Sequence, residues 1–187
     1  LVEAFSIDRV HKAGSRFDHD KAKWFNHQYL RKKPSDQLAM EFRELLRAKG
    51  IHVDIVRLEM LVELVKERVS FMKDIWDQTD FFFKAPETYD PEAVRKRWGK
   101  DTASQLTELK DLLLTIPDFS VAAAETAVKE WIAAKGYNTG AIMNAFRLVL
   151  VGSLRGPHIF DIISWIGREE SAGRIERGVK AIGEMLQ

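Results

Sequence analysis

Five histidines, His11, His19, His27, His52 and His158, are scattered over 187 residues. None pairs with a carboxylate at metal-ligand spacing on one helix face. His19 and Asp20 are adjacent and point to different sides of any helix. There is no cysteine, which excludes disulfides, zinc–thiolate sites and thiol nucleophiles and fits a reducing cytoplasm. The segment GYNTG (136–140) lacks the lysine of a phosphate-binding loop. Glu169 and Glu170 stand at a helix start, where the dipole favours acids. Ser153, in GSLRG, has no base tied to it. No catalytic residue and no metal site are therefore expected. The residues point to a binding module, or to the binding part of an enzyme.

One stretch still carries chemistry. AFRLVLVGSLRGPHIFDIISWIGREE (145–170) is an apolar run that stops at Gly152-Ser153 and restarts after Gly156-Pro157. A helix that ends beside a helix that begins offers unpaired carbonyls and unpaired N–H groups within a few residues. Gly152 and Gly156 permit the bend and a close approach to the backbone. Pro157 stiffens the approach, suits the first position of the second helix and offers a flat apolar surface. Ile159 can pack under a base. Arg147 lies about one and a half turns before the break and can present a planar fork. Arg155 adds a charge to the elbow. On periodicity alone, the same residues also describe a plain helical hairpin.

The elements around this elbow read as helix almost throughout. DKAKWFNHQYLRKK starts at Asp18 or Asp20 and ends before Pro34. Ser35 is expected to cap the next helix, with Leu38, Phe42, Leu45 and Leu46 as its apolar stripe and Gly50 as its stop. HVDIVRLEMLVELVKERVSFMKDIW carries Ile55, Leu58, Leu61, Val62 and Val65 on one face. Pro86 and Pro91 bracket a linker. Helices then follow at PEAVRKRW, at DTASQLTELKDLLLTI, from Ser120 to Gly136, and from Asn138 to Gly152. The last, REESAGRIERGVKAIGEML, contains Gly173, Gly178 and Gly183, which weaken a helix. No alternating strand pattern appears. The expected fold is all-α: two consecutive helical bundles, residues 1–89 and 90–187.

Lys and Arg (29) nearly balance Asp and Glu (28), so any contact with nucleic acid must be local. Residues 1–33 carry +4, residues 76–130 carry −4 and residues 131–187 carry +2. The basic ends could form one phosphate-facing surface. No run approaches the roughly 18 apolar residues of a membrane span, and the first residues do not read as a signal peptide.

Two motifs add a resemblance. SRFDHDKAKWFNHQYLRK (15–32) resembles the segment that follows the catalytic half in bacterial glutamyl-tRNA synthetases, through Phe17, Asp18, Lys21 or Lys23, Trp24, Asn26 and Tyr29. The elbow resembles the same family near its C-terminus, through Arg147, Gly152-Ser153, Gly156-Pro157, Phe160 and Gly167 followed by acids. The resemblance covers essentially the whole chain. It implies the helical, C-terminal anticodon-binding part of a class I synthetase that joins glutamate to tRNA(Glu) with ATP and magnesium. The catalytic domain, with its signature motifs, would lie N-terminal to these residues in the same chain and be a partner. The fragment alone would be inactive and is expected to be a cytoplasmic monomer. By the same resemblance, Arg147, Gly156, Pro157 and Ile159 meet the third anticodon base. Arg68, which has no acid three or four residues away, corresponds to the reader of the first base. Arg155 and His158 depart from the family pattern and could alter base preference or touch a phosphate. Lys21, Lys23 and Arg31, within the basic stretch 9–33, are expected at phosphates, and Trp24 and Asn26 in the framework. A stand-alone helical module binding protein or another RNA is the competing reading.

Overall fold

The computed structural model describes residues 18–186. Among them there are ten α-helices and no strand. They are α1 (His19–Lys32), α2 (Ser35–Ala48), α3 (Ile55–Val65), α4 (Met72–Phe83), α5 (Pro91–Arg97), α6 (Thr102–Thr115), α7 (Val121–Lys135), α8 (Thr139–Val151), α9 (Ile159–Ile166) and α10 (Arg168–Met185). The all-α expectation holds.

Local chemistry explains most boundaries. Asp18 caps α1 by accepting from the Lys21 amide. Ser120 and Asn138 cap α7 and α8 in the same way, each satisfying a donor the helix cannot. Gly136 closes α7 in the left-handed region, at φ 67°. Ser35 does not act as expected. Pro34 occupies the cap position, and the Ser35 hydroxyl donates instead to Glu63 on α3. Leu45 leaves the expected stripe and is 42% exposed.

The segment expected as one helix from residue 52 to 76 is two. It breaks through a short 3-10 turn at Lys66–Arg68. Val69 is extended, and the Ser70 and Phe71 amides both bond the Asp74 carboxylate at the start of α4. Helix α1 fills the gap from the other side. Asn26 donates to the Ser70 carbonyl, and His27 Nδ1 lies 2.7 Å from that of Val69. Periodicity could not show the break, because the apolar positions run on through it.

The core is built on Phe42, Phe146 and Phe160, all fully buried. Helix α2 packs on α3, α10 lies against α6 and α8, and α9 lies against α7 and α4. Phe82 and Phe83 of α4 meet Trp165 of α9 edge-on, so the helices before residue 90 share an apolar seam with those after it. Gly178 is what lets α10 approach α8. A Cβ there would stand 2.7 Å from Val149 Cβ and Cγ1. The α10 glycines are therefore not all weak points: one of them is a packing surface.

Candidate nucleic-acid interface

Helix α8 ends at Gly152, whose φ of 81° is left-handed. A strap formed by residues 86–90 lies across this glycine. A Cβ on Gly152 would meet the Thr88 carbonyl oxygen at 2.5 Å, and the Asp90 amide donates to the Gly152 carbonyl at 2.8 Å. Helix α9 then starts at Ile159, with His158 in the cap position. Pro157 was expected as the first helical residue; it stands two places earlier and is buried. Ile159 is only 4% exposed and faces the core rather than solvent. The elbow therefore presents its backbone, together with Leu154 and His158, more than the apolar faces of Pro157 and Ile159.

Two arginines close on that backbone from opposite halves of the sequence. Arg147 Nη1 donates to the Arg155 carbonyl at 3.0 Å. Arg68 Nη1 donates to the Gly156 carbonyl at 2.6 Å. The distant partner that Arg68 lacks locally is thus the elbow itself, and the break after α3 brings it there. The two guanidiniums feel one another. Burial first, and the Arg68 charge second, hold the Arg147 pKa below its ordinary value. Among the described residues, no ion pair joins either arginine to a carboxylate.

Gly156, at φ 102°, sits where only glycine fits comfortably. A Cβ would lie 2.9 Å from Phe81 Cζ and 3.5 Å from Arg147 Nη1. Arg155 is engaged rather than free. Its guanidinium bonds both Asp80 carboxylate oxygens, at 2.7 and 3.0 Å. It also donates to the Asp77 carbonyl and lies over the Phe81 ring, 5.3 Å from the centroid. His158 is exposed, with Nε2 3.8 Å from Glu125. A cleft of about 350 Å³ runs beside Arg155, lined by Trp76, Asp80, Phe81 and Lys84.

Helix α1 packs on the 66–68 turn. Lys21 and Lys23 are exposed, whereas Arg31 is paired with Glu67 at 2.6 Å. Trp24 is not framework core, being 57% exposed, while Asn26 is framework through its bond to Ser70. Arg9, Lys12, Arg16, Phe17 and His11 lie outside the described residues. Sequence reasoning missed Asp80, Phe81 and Arg174. Arg174 is 2% exposed. It donates to the Phe81 and Leu150 carbonyls, at 2.6 and 2.9 Å, and pairs with Glu170. It thereby caps the last turns of α4 and α8 under the elbow. The Glu170–Arg174 spacing is a visible helical pair; its carbonyl partners have no signature.

Among the described residues, no group of three or more His, Asp or Glu could hold a metal ion, and no helix is long and apolar enough to cross a membrane. The fold and the elbow together define a class: an all-helical scaffold that holds two guanidiniums against a glycine turn. Comparison with known proteins gives the class its family. Residues 22–179 match the anticodon binding domain, and the chain belongs to that family. It is 48% identical over 183 residues to the glutamate–tRNA ligase of Porphyromonas gingivalis, covering 98% of this chain and 36% of that protein. It is 47% identical over 182 residues to that of Flavobacterium johnsoniae, covering 97% of this chain and 36% of the relative. A crystal structure of a glutamate tRNA ligase from Elizabethkingia meningosepticum, in complex with its amino acid, superposes with a TM-score of 0.88 at 36% identity. That match covers 95% of this chain and 35% of the ligase. The chain thus spans about a third of the relatives it matches, and the resemblance carried by the two motifs holds.

Proposed function

We propose that this chain is the C-terminal anticodon-binding part of a glutamate–tRNA ligase and that its elbow reads the anticodon of tRNA(Glu). The observation that carries the reading is the pair Arg68 and Arg147. Each is fixed on an elbow carbonyl and neither is neutralised by a carboxylate. Unpaired anticodon bases can be splayed out and read on their edges. A guanidinium whose Nη1 is already oriented by a carbonyl keeps other N–H groups for a base or phosphate. Arg147 is assigned to the third anticodon base and Arg68 to the first. Gly156 provides the close backbone approach. Lys21 and Lys23 supply sequence-independent phosphate contacts. The helices before residue 90 and those after it work as one RNA-facing unit, because Arg68 and Asp80 of the first group hold the elbow of the second.

No described cluster fits a magnesium ion. From the likeness to a third of glutamate–tRNA ligases, ATP, magnesium and glutamate activation are assigned to the catalytic domain of the parent ligase, and the 187-residue chain to RNA binding alone, as a cytoplasmic monomer. The test is a titration of the purified chain with tRNA(Glu) and with tRNAs altered in the anticodon, alongside ATP–pyrophosphate exchange. Anticodon-dependent binding without exchange is the expected result. Exchange by the chain alone overturns its inactivity. Binding blind to the anticodon returns the elbow to a plain helical hairpin in an interaction module.

A further inference from the structure

We propose that Asp80 is a positioning residue for anticodon reading and that it acts through Arg155, which fastens the elbow instead of touching RNA. The inference rests on the elbow being the reader. Its basis is a chain of bonds. The Asp80 carboxylate takes Arg155 Nη2 on both oxygens. Its Oδ1 also accepts from the Phe81 amide at 2.9 Å, which fixes its direction. Arg155 Nη1 is spent on the Asp77 carbonyl, and the guanidinium plane rests on Phe81. The residue whose side chain is fastened is the one whose carbonyl orients Arg147. The next carbonyl, of Gly156, orients Arg68. A Cβ on Gly156 would meet the edge of the same Phe81 ring at 2.9 Å, so only glycine fits there. Thus α4 holds residue 155 by an ion pair from one nitrogen to both carboxylate oxygens, a bond to the Asp77 carbonyl and a cation–π contact with Phe81. Residues 155 and 156 in turn hold both reading arginines.

The alternative, that Arg155 is itself a phosphate contact merely resting on Asp80, makes the opposite prediction in sign. A carboxylate beside a polyanion opposes binding, so removing it should then tighten RNA binding. Under the positioning role, Asp80→Asn loosens the elbow and weakens reading. With the purified chain, Asp80→Asn is expected to reduce affinity for a tRNA(Glu) anticodon hairpin by about three- to tenfold. Binding to a hairpin with a changed anticodon should stay within about twofold, and the salt slope should not move, because no phosphate contact is lost. Arg155→Lys should weaken cognate binding similarly although it keeps the charge, since an ammonium cannot make the fork and the stack together. Amide exchange at residues 153–156 should accelerate in Asp80→Asn without RNA present. In an Arg68→Ala, Arg147→Ala background, Asp80→Asn should no longer affect binding.

Equal or tighter cognate binding by Asp80→Asn, or unchanged exchange at the elbow, overturns the positioning role. So does full cognate binding by Arg155→Lys together with a reduced salt slope for Arg155→Ala. If the unsubstituted chain binds both hairpins alike, the anticodon reading fails first, and the positioning role falls with it. That failure is told apart because it shows before any substitution is made. Circular dichroism melts of each variant separate these outcomes from unfolding, and Asp80→Glu, which keeps the charge, should recover part of the cognate affinity.

Discussion

Arg147→Ala tests the reading most directly, because the structure divides its effect into two parts. The side chain donates to the Arg155 carbonyl at 3.0 Å. Losing that bond loosens the elbow by about 1 kcal/mol, whichever RNA is bound. The remaining N–H groups are available to RNA, and a base-edge contact by such a fork carries about 1–3 kcal/mol of discrimination. Removing Arg147 also relieves its repulsion with Arg68, which depresses the Arg147 pKa, so the observed loss sits toward the lower part of that range. The cognate hairpin should therefore bind about tenfold more weakly, since ~1.4 kcal/mol is tenfold. A hairpin changed at the third anticodon base has already lost the base contact, and should lose only the shared loosening. The assay is a double-mutant cycle by fluorescence anisotropy at fixed salt, with Arg147→Ala on the protein and the base change on the RNA. An interaction energy of about 1 kcal/mol or more supports base reading. Penalties that add within about 0.3–0.5 kcal/mol would refute it and leave Arg147 as a phosphate contact or a purely structural clamp.

Gly156→Ala combines a left-handed φ with a Cβ 2.9 Å from Phe81 Cζ. It should cost about 1–2 kcal/mol, read as a Tm lowered by roughly 2–8 °C. Gly178→Ala should destabilise by about 1 kcal/mol despite the better helix propensity of alanine, because overpacking against Val149 costs about 1–3 kcal/mol against a gain of about 0.5–1; Gly183→Ala, with nothing within 4 Å, should stabilise, and equal shifts in their melts would contradict the packing. Arg174→Met leaves the Phe81 and Leu150 carbonyls without their donor and should cost about 3 kcal/mol in urea denaturation; a loss under about 1 kcal/mol would show that water replaces it. Lys21→Gln with Lys23→Gln should weaken all tRNAs alike and reduce the log–log salt slope by about 1–2, and an unchanged slope would remove α1 from the interface.

What sequence could reach follows from how far apart the cooperating residues are. Asp18, Ser120, Asn138 and Gly136 act within one turn of themselves, so residue type and spacing were enough to place their helix ends. Ser35 failed because its hydroxyl found Glu63, 28 residues on, in place of a local amide. Trp24 failed because an aromatic in an amphipathic helix is read as core, while α1 turns its polar Asn26 and His27 toward the 66–70 segment. The break in that segment is bridged across 44 residues by Asn26, and no local window contains both ends. At the site, Gly152, Gly156 and Arg147 were legible as a stop, a bend and a nearby fork. Arg68 could be marked only negatively, by its missing helical partner; its carbonyl lies 88 residues away. Asp80 carried no signal, since one acid in the acidic stretch 76–130 looks like any other.

The elbow brings two carbonyl-held arginines close enough to repel one another. Three framework arginines are accompanied by a carboxylate, Arg31 by Glu67, Arg155 by Asp80 and Arg174 by Glu170, while Arg57 and Arg168 bond the Trp165 and Pro117 carbonyls and lie over aromatic rings. An ion pair fixes the side chain and also cancels its field. Arg68 and Arg147 are fixed by backbone carbonyls instead. A carbonyl dipole orients a guanidinium without neutralising it, so the charge remains available to an incoming anion. The cost is the mutual repulsion that shows in the Arg147 pKa, together with the glycine and the buried supports that keep the carbonyls in place. A helical hairpin needs none of this to turn its chain: Gly136 and Asn138 turn α7 into α8 with two caps and no arginine. The carbonyl bonds steady this second, longer turn, but they do not relieve the repulsion of two cations placed together. A polyanionic partner does, because its approach converts the repulsion into attraction, and the fixed carbonyls mean that both forks are already aimed when it arrives.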